Sequence, residues 1–223
     1  MRSLRAVRPW RLVLAATMLF VSASGCSYVT AAAYLFGPPR VQKAEFKLTD
    51  GRLAVVIETA HPEEDSPVFR QALLEKMSEI FRENKLKTKI IPDEELLRLH
   101  QQNADFADWS LQKIGRRLDA KQVLYVRIEQ LQMRDAPDSP LLSPRVDMRL
   151  KVIDPFAQPD KARLWPGPNE REGREADRAR PPRDVADPTT NDTEAAKLGR
   201  DTAYVVAQWF YDVDLETKTP WEK

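Results

Sequence analysis

The chain has 223 residues, of which 42% are hydrophobic, and its 35 lysines and arginines nearly balance its 34 acidic residues to give a net charge of +1. This balance argues against the clustered basic surface on which nucleic-acid binding depends. A single cysteine excludes an intramolecular disulfide framework, so we expect stability to come from the packed core of one domain accompanied by flexible segments.

The amino-terminal stretch decides on which side of a membrane the remaining chain folds. Four arginines precede an apolar run over residues 12–23, and small residues then lead into Cys26, the only cysteine. The order basic, apolar, small is that of a secretory signal. Residues 1–25 are therefore predicted to be a signal peptide, whose removal leaves 198 residues and lowers the net charge to −3 because four arginines leave.

The end of this stretch, Ala-Ser-Gly-Cys, resembles the lipobox of bacterial lipoproteins, with Ala23 where leucine is usual. The resemblance implies that Cys26 is acylated on sulfur and becomes the new amino terminus. Two alternatives stay open. One is an ordinary signal cleaved after Ala23, and the other is an uncleaved membrane helix, because apolar residues resume over Tyr28 to Phe36. We expect an envelope location facing the periplasm, and Ser27 favours the outer membrane because the aspartate that retains many lipoproteins at the inner membrane is missing.

Residues 26–43 are predicted to form a lipidated tether, because Gly37-Pro38-Pro39 disfavours both helix and sheet. A domain is predicted over residues 44–166. The run LAVVIET is too short for an independent helix and indicates a central strand buried on both faces. The first half is predicted to contain strands at Ala44–Leu48, Leu53–Thr59 and Thr88–Ile91, a hairpin turn at Thr49-Asp50-Gly51, a helix over Val68–Glu83 capped by Ser66, and a helix opened by Pro92-Asp93.

The second half of the domain is predicted to be mostly strand. A helix over residues 108–118 precedes two alternating runs, 122–131 and 146–152, which we expect to pair as a hairpin across the loop 136–144. A short edge strand follows at 162–165. The predicted fold class is α/β, with a mixed sheet of about five strands and packed helices.

The carboxyl-terminal third is predicted to contain a loop, a helix and a tail. Residues 167–192 carry five arginines and seven acids with hardly any large aliphatic residue, so we expect a disordered charged loop. Residues 193–214 are predicted to form a helix that docks on the domain, and residues 215–223 an exposed tail.

Together with the segments Ile114–Leu131 and Arg149–Pro155, LAVVIET resembles the α/β domain shared by the amino-terminal part of TolB and the periplasmic core of CsgG-type lipoproteins. With the signal, the lipobox and the ending Ala207–Asp214, the chain also resembles a family of uncharacterised bacterial envelope lipoproteins. The resemblance implies the fold and carries no catalytic residues. The propeller of TolB and the membrane-crossing hairpins of CsgG-type pores have no counterpart in the sequence.

The sequence offers little material for catalysis. His61 and His100 have no metal-binding spacing, and no serine elbow or glycine-rich phosphate loop follows a strand. The pair Glu94 and Glu95 is most simply explained as charge at a helix start. We therefore predict no catalytic residues, no cofactor and no metal, and lipidation of Cys26 is the only specific chemical role.

The favoured hypothesis is a lipid-anchored, non-catalytic lipoprotein that serves as a protein-interaction or assembly module. Its partners would be the membrane, reached through the lipid on Cys26, and an envelope protein of unknown identity. One alternative is a subunit of an export or secretion complex. Another is an envelope enzyme or small-ligand receptor that uses a pocket of the domain, which a buried polar cluster around His100 would favour.

Overall fold

The computed structural model describes residues 41–136, 139–184 and 190–214. The predicted signal peptide, the lipidated Cys26, most of the tether and the tail 215–223 lie outside these residues. The chain divides into two compact units, one of residues 42–213 with 219–223 and one of residues 1–41 with 214–218. Only Val41 and Asp214 of the second unit are described, so the fold below is that of residues 42–213.

The described chain begins by alternating strands and helices and continues mostly as strand until a final long helix. Its first elements are β1 (Val41–Gln42), β2 (Gly51–Thr59), α1 (Pro67–Glu83), β3 (Thr88–Ile90), α2 (Asp93–Gln102), α3 (Leu111–Arg117) and β4 (Gln122–Gln132). The later ones are β5 (Leu141–Leu142), β6 (Arg145–Ile153), β7 (Arg163–Trp165), β8 (Arg174–Ala179), β9 (Arg183–Asp184), α4 (Thr190–Ala207) and β10 (Val213–Asp214).

The main sheet has the strand order β3-β2-β4-β6-β7, and β8 also pairs with β6. Strand β2 runs parallel to β3 and β4, whereas β6 runs antiparallel to β4, β7 and β8. The predicted α/β class with a mixed sheet is confirmed, with six strands in place of about five. The hairpin-like pairing predicted for the two long alternating runs is the β4–β6 pair.

The larger core lies on the sheet face that α1 and α4 cover. Side chains of a strand alternate between its two faces, so every second residue of β2, β4 and β6 points to these helices. Helix α1 begins where predicted, with Pro67 in its first turn and the hydroxyl of Ser66 accepting a hydrogen bond from the Phe69 amide. The buried residues include Leu53, Val55, Leu124, Val126, Met148 and Leu150 from strands, and Phe69, Leu73, Met77, Leu198 and Val206 from helices.

Helices α1 and α4 pack in unusually close contact at Gly199. A Cβ added to this glycine would lie 2.5 Å from the carbonyl oxygen of Phe69 and 3.1 Å from the amide nitrogen of Leu73. Real Cβ atoms do not approach a backbone oxygen so closely, so the two helices can pack this way only because residue 199 has no side chain.

The opposite face of the sheet is covered over only part of its length. A smaller core there joins Ala54, Val123 and Ile153 to Ile114 and Leu118. Helices α2 and α3, of 10 and 7 residues, extend only about 15 and 10 Å, while the 11-residue β4 extends about 36 Å. Burial of β2 on both faces, as predicted, therefore applies to its first half, and the second half of this face is open.

Both ends of the strand order are short. The first strand, β3, and the last, β7, have three residues each, and β7 ends at Trp165 before Pro166. The predicted edge strand at 162–165 is thus present, although it begins at Arg163.

Two predictions near the start of the domain are wrong. Residues 44–48 form no strand, because Phe46 and Leu48 pack against the larger core and the amide of Phe46 bonds to the Trp209 carbonyl instead, at 3.0 Å. The Asp50-Gly51 pair does not close a hairpin. Gly51 starts β2, whose partners β3 and β4 are both parallel and come later in the chain.

The predicted disordered loop 167–192 also differs from the structure. Residues 174–179 form β8, which pairs with β6 from Arg145↔Ala179 to Leu150↔Arg174. Its apolar contribution is small, since only Ala176 joins the core, and backbone pairing with the edge of β6 supplies the rest. The composition of this segment predicted disorder, because hydrophobic content does not report the backbone hydrogen bonds by which β8 pairs with β6.

A buried ionic cluster fastens α4 to the residue that follows β8. The carboxylate of Glu194 is only 3% exposed and lies 3.2 Å from the Arg180 guanidinium and 2.7 Å from the Lys197 amine. Arg180 also pairs with Asp201, which follows Glu194 by about two turns of α4. Burial by itself would raise the pKa of Glu194, but the hydrogen bond from Lys197 and the charges of Arg180 and Arg183 outweigh burial and lower it.

Candidate functional site

The two histidines do not form a site together. His61 is exposed and lies 3.8 Å from the Glu63 carboxylate. His100 is an exposed residue of α2 whose ring contacts Phe106 at a tilt of 59°, with 4.9 Å between centroids, and the buried polar cluster that would favour an enzyme is not found around it. Among residues 41–136, 139–184 and 190–214, no group of three or more potential ligands is arranged to hold a metal ion.

The charged half of the sheet that α2 and α3 leave uncovered is the most distinctive surface. We call it the open face. It is built from side chains on three neighbouring strands, β2, β4 and β6, and from the segment around β8. Its residues are Glu58, Tyr125, Arg127, Glu129, Asp147, Arg149, Lys151, Glu172 and Glu175.

Arg149 lies at the centre of the open face and forms ion pairs with acids of the neighbouring strand and of the segment around β8. Its guanidinium is 3.7 Å from Glu129 on β4 and 2.8 Å from Glu175 on β8, and it also pairs with Glu172. Arg127 contacts the same Glu129 carboxylate at 3.4 Å. Because the Glu172 and Glu175 side chains are about three-quarters exposed, water screens these pairs, and each is worth little stability.

Tyr125 and Glu58 form a second polar pair, between β4 and β2. The phenol hydroxyl of Tyr125 donates a hydrogen bond to the Glu58 carboxylate. Burial of the phenol, together with this hydrogen bond and the negative charge of Glu58, raises the pKa of Tyr125. The hydroxyl therefore stays protonated at neutral pH and serves as a hydrogen-bond donor, not as a nucleophile or base.

A shallow depression of about 660 Å³ runs over this surface and is lined by Tyr125, Arg127, Glu129, Arg149 and Lys151 with Arg171 and Glu172. Its walls offer hydrogen-bond donors and charges of both signs. No nucleophile next to a base lies among the residues that line it, so the arrangement supports binding better than a reaction.

A separate groove of about 720 Å³ lies between α1 and the start of α2. Leu74 and Ile91 are nearly buried at its base, and Leu97 is 47% exposed at its rim. Charged residues of both helices, including Arg70, Arg82 and Glu94, line the remainder. The groove combines apolar and polar surface, as ligand sites do, and the part of the chain that the structure describes does not fill it.

No protein-family model matches the chain, and no curated protein matches it. The solved structures to which it is similar include a PelC dodecamer from Paraburkholderia phytofirmans, at 16% identity and a TM-score of 0.40, covering 78% of this chain and 97% of that one. Lipoprotein GNA1162 from Neisseria meningitidis has 13% identity and a TM-score of 0.42, and the match covers 69% of this chain and 99% of that one. TolB from Acinetobacter baumannii has 8% identity and a TM-score of 0.27, and the match covers 75% of this chain and 30% of that one.

These neighbours include a lipoprotein and TolB, and all three TM-scores are below 0.5. No helix in the described ranges is long and apolar enough to cross a bilayer. Cys26, the one predicted site residue, lies outside the described residues, and its lipidation stays a prediction.

The sequence predicted the part of the open face that lies on the long strands, but not the part around β8. The alternation of Arg127 and Glu129 with apolar residues predicted strands that expose one polar face. It did not find that Glu172 and Glu175 meet Arg149, because these acids belong to the segment predicted to be disordered. The sequence of β8 carries no strand signal, because its two alanines, Ala176 and Ala179, lie three residues apart and so face opposite sides of the strand.

Proposed function

We propose that this protein is a bacterial envelope lipoprotein, held at a membrane by acyl chains on Cys26, whose α/β domain binds another envelope protein without catalysing a reaction. The observation that carries the proposal is the order of the first 26 residues, with arginines, an apolar run and small residues ending at the only cysteine. Two or three acyl chains on one residue support stable anchoring, whereas one chain gives reversible binding. The domain faces the periplasm, and Ser27 favours the outer membrane.

Binding without catalysis is supported by the open face. It presents charges of both signs around Arg149 and a protonated Tyr125, which suits recognition of a polar protein surface. Its fixed ion pairs give orientation and specificity more than affinity. The partner we propose is therefore a protein whose contacting surface carries both acidic and basic side chains.

The anchor is tested by Cys26→Ala. We expect the full-length variant to lose acylation in mass spectrometry of the amino terminus and to move from the membrane fraction to the soluble fraction. Ser27→Ala, one residue later, is the matched control and should stay acylated and membrane-bound. An unacylated wild-type protein, or a Cys26→Ala variant that is still membrane-bound and acylated, would contradict the proposal.

The interaction is tested separately by a photo-crosslinking residue placed at Asp147 on the open face, with Arg200 on the exposed side of α4 as the control position. We expect a discrete crosslinked product in envelopes from position 147 and none from position 200. Absence of any product from position 147, or equal products from both positions, would count against binding through the open face.

A further inference from the structure

The end of the sheet at which β2 and β4 begin carries an excess of positive charge. Two depressions at this end are lined by six cationic and four acidic side chains. Lys121 lies beside Gly51, because a Cβ added to this glycine would be 2.9 Å from the Lys121 Cγ. The two neighbours of Gly51, Asp50 and Arg52, line one depression each. We call this surface the basal face, and its exposed cations are Lys47, Arg52, Lys85, Lys87, Arg98, Arg117 and Lys121.

Three of these lysines are free to meet an outside charge. The acids of the basal end are largely engaged, since Asp50 pairs with Lys87 at 3.3 Å, Glu95 with Arg52 at 2.6 Å and Asp212 with Lys43 at 2.8 Å. Lys47, Lys85 and Lys121 are exposed and form no ion pair within residues 41–136, 139–184 and 190–214.

An exposed aromatic side chain lies at the same end of the sheet as these lysines. Phe156 is 60% exposed, more than any other large hydrophobic residue in the described ranges. Val123 pairs with Ile153, so the loop that follows β6 lies at the same end of the sheet as Lys121. The Arg116 guanidinium donates to the Pro155 carbonyl at 2.8 Å and fixes the loop beside the basic end of α3.

The chain also enters the domain at this end. Asp212 accepts hydrogen bonds from both the Lys43 amine and the Ala44 amide, at 2.8 and 3.0 Å. Asp212 lines the same depression as Lys47 and Lys85. The predicted lipid site at Cys26 precedes Lys43 by 17 residues, which span at most about 60 Å when fully extended.

We infer that the basal face lies against an anionic phospholipid surface, with Lys47, Lys85 and Lys121 near the headgroups and Phe156 in the interfacial layer. This inference rests on the proposed function for the anchor, because the acyl chains bring the domain to the membrane. Basic residues beside an apolar aromatic side chain are the combination that peripheral membrane contacts use.

The charge distribution also orients the domain relative to the membrane. The mature chain would carry a net charge of −3, so an anionic bilayer repels the molecule as a whole and attracts its basal face. The domain therefore faces the membrane with the end from which its tether leaves and turns the opposite end of the sheet, with Arg145 and Ala179, away from it.

The test measures partition of the unacylated mature chain, residues 26–223 with Cys26→Ala, onto vesicles. The vesicles are pure phosphatidylcholine or phosphatidylcholine with one-third phosphatidylglycerol, in low and in high salt. We expect binding to the anionic vesicles that weakens as salt rises. Because acylation is absent from every sample, failure of the lipid-anchor proposal and failure of this one give separate results.

Lys47→Gln/Lys85→Gln/Lys121→Gln should weaken partition at low salt by roughly 100-fold, since each of the three cations contributes about 1 kcal/mol near an anionic surface. The matched control, Arg134→Gln/Arg145→Gln/Arg183→Gln, removes three cations at the opposite end of the sheet, just after β4, at the start of β6 and in β9, and should bind like the parent. Circular dichroism verifies that both fold.

Phe156→Ala should weaken partition by about fivefold at both salt concentrations, because its contribution is apolar. Leu141→Ala, which truncates another exposed apolar residue at the opposite end, is its control and should have no effect. Equal binding to neutral and anionic vesicles, an unaffected lysine variant, or equal losses in the two triple variants would overturn the inference.

Discussion

Glu194 shows how a single buried charge is kept stable in this domain. It is surrounded by Arg180, Arg183 and Lys197, and their charges outweigh the cost of removing its carboxylate from water. A buried carboxylate is compatible with a stable fold only while its cationic partners are present, because an unpaired buried ion destabilises the folded state.

Glu194→Gln should lower the free energy of unfolding at pH 7 by roughly 1.5–3 kcal/mol, the value of a buried hydrogen bond to a charged group. Glu172→Gln is the matched control, since its carboxylate pairs with Arg149 but is 77% exposed, and it should cost less than about 1 kcal/mol. Urea unfolding of the three proteins measures both differences. Equal losses would show that burial of Glu194 has no special role.

Glu194 also makes the stability of the folded domain depend on pH. The pKa of Glu194 in the folded protein lies below its ordinary value of 4.5, so its contribution to stability is complete above pH 4.5 and is lost as the pH falls through the folded pKa. We expect the difference in unfolding midpoint between wild type and Glu194→Gln to shrink as the pH falls below 4.5. A difference that grew on acidification would show that the pKa of Glu194 is raised in the folded protein and not lowered.

At the scale of elements, the crossing of α1 and α4 depends on Gly199. Gly199→Ala would gain helix propensity of about 1 kcal/mol, but the added methyl would meet the Phe69 carbonyl oxygen at 2.5 Å. Separating the helices should cost more than this gain, so we expect a net loss of about 1–3 kcal/mol in thermal or urea unfolding.

Gly167→Ala is the control for this crossing, since a Cβ there would have no heavy atom within 4 Å. It should leave stability within about 0.5 kcal/mol of wild type. A stabilised Gly199→Ala variant would show that the helices can move apart without loss of packing.

The elements that the sequence predicted best are those in which burial and periodicity agree. Helix α1 and strands β4 and β6 have regular apolar spacing, and their ends were predicted to within one residue. Strand β8 could not be found this way, because only Ala176 of its six residues is buried and its stability comes from pairing with β6. The open face was missed in part for the same reason, since Glu172 and Glu175 lie in that segment.

At the scale of the whole domain, the two cores share their strands. Leu53 belongs to one core and Ala54, its neighbour on β2, to the other, and Val123 and Leu124 are divided in the same way. Loss of one core therefore disrupts the strands that support the other. We expect a single unfolding transition for residues 42–213, with near- and far-ultraviolet circular dichroism changing together. Two separated transitions would show that the α2–α3 side unfolds independently.

The short strands at the two ends of the sheet have a consequence for a protein held on a membrane. Confinement to two dimensions raises the local concentration of identical domains, and exposed sheet edges in such a crowd can pair with one another. With three residues each, β3 and β7 offer few free backbone groups to a neighbouring copy, and Pro166 limits further pairing beyond β7. The six-residue β8 pairs with the same edge of β6 as β7, and its charged side chains, among them Glu175 and Asp177, oppose pairing with another strand. The domain is thereby protected from edge-to-edge aggregation at the crowding that lipid anchoring would impose.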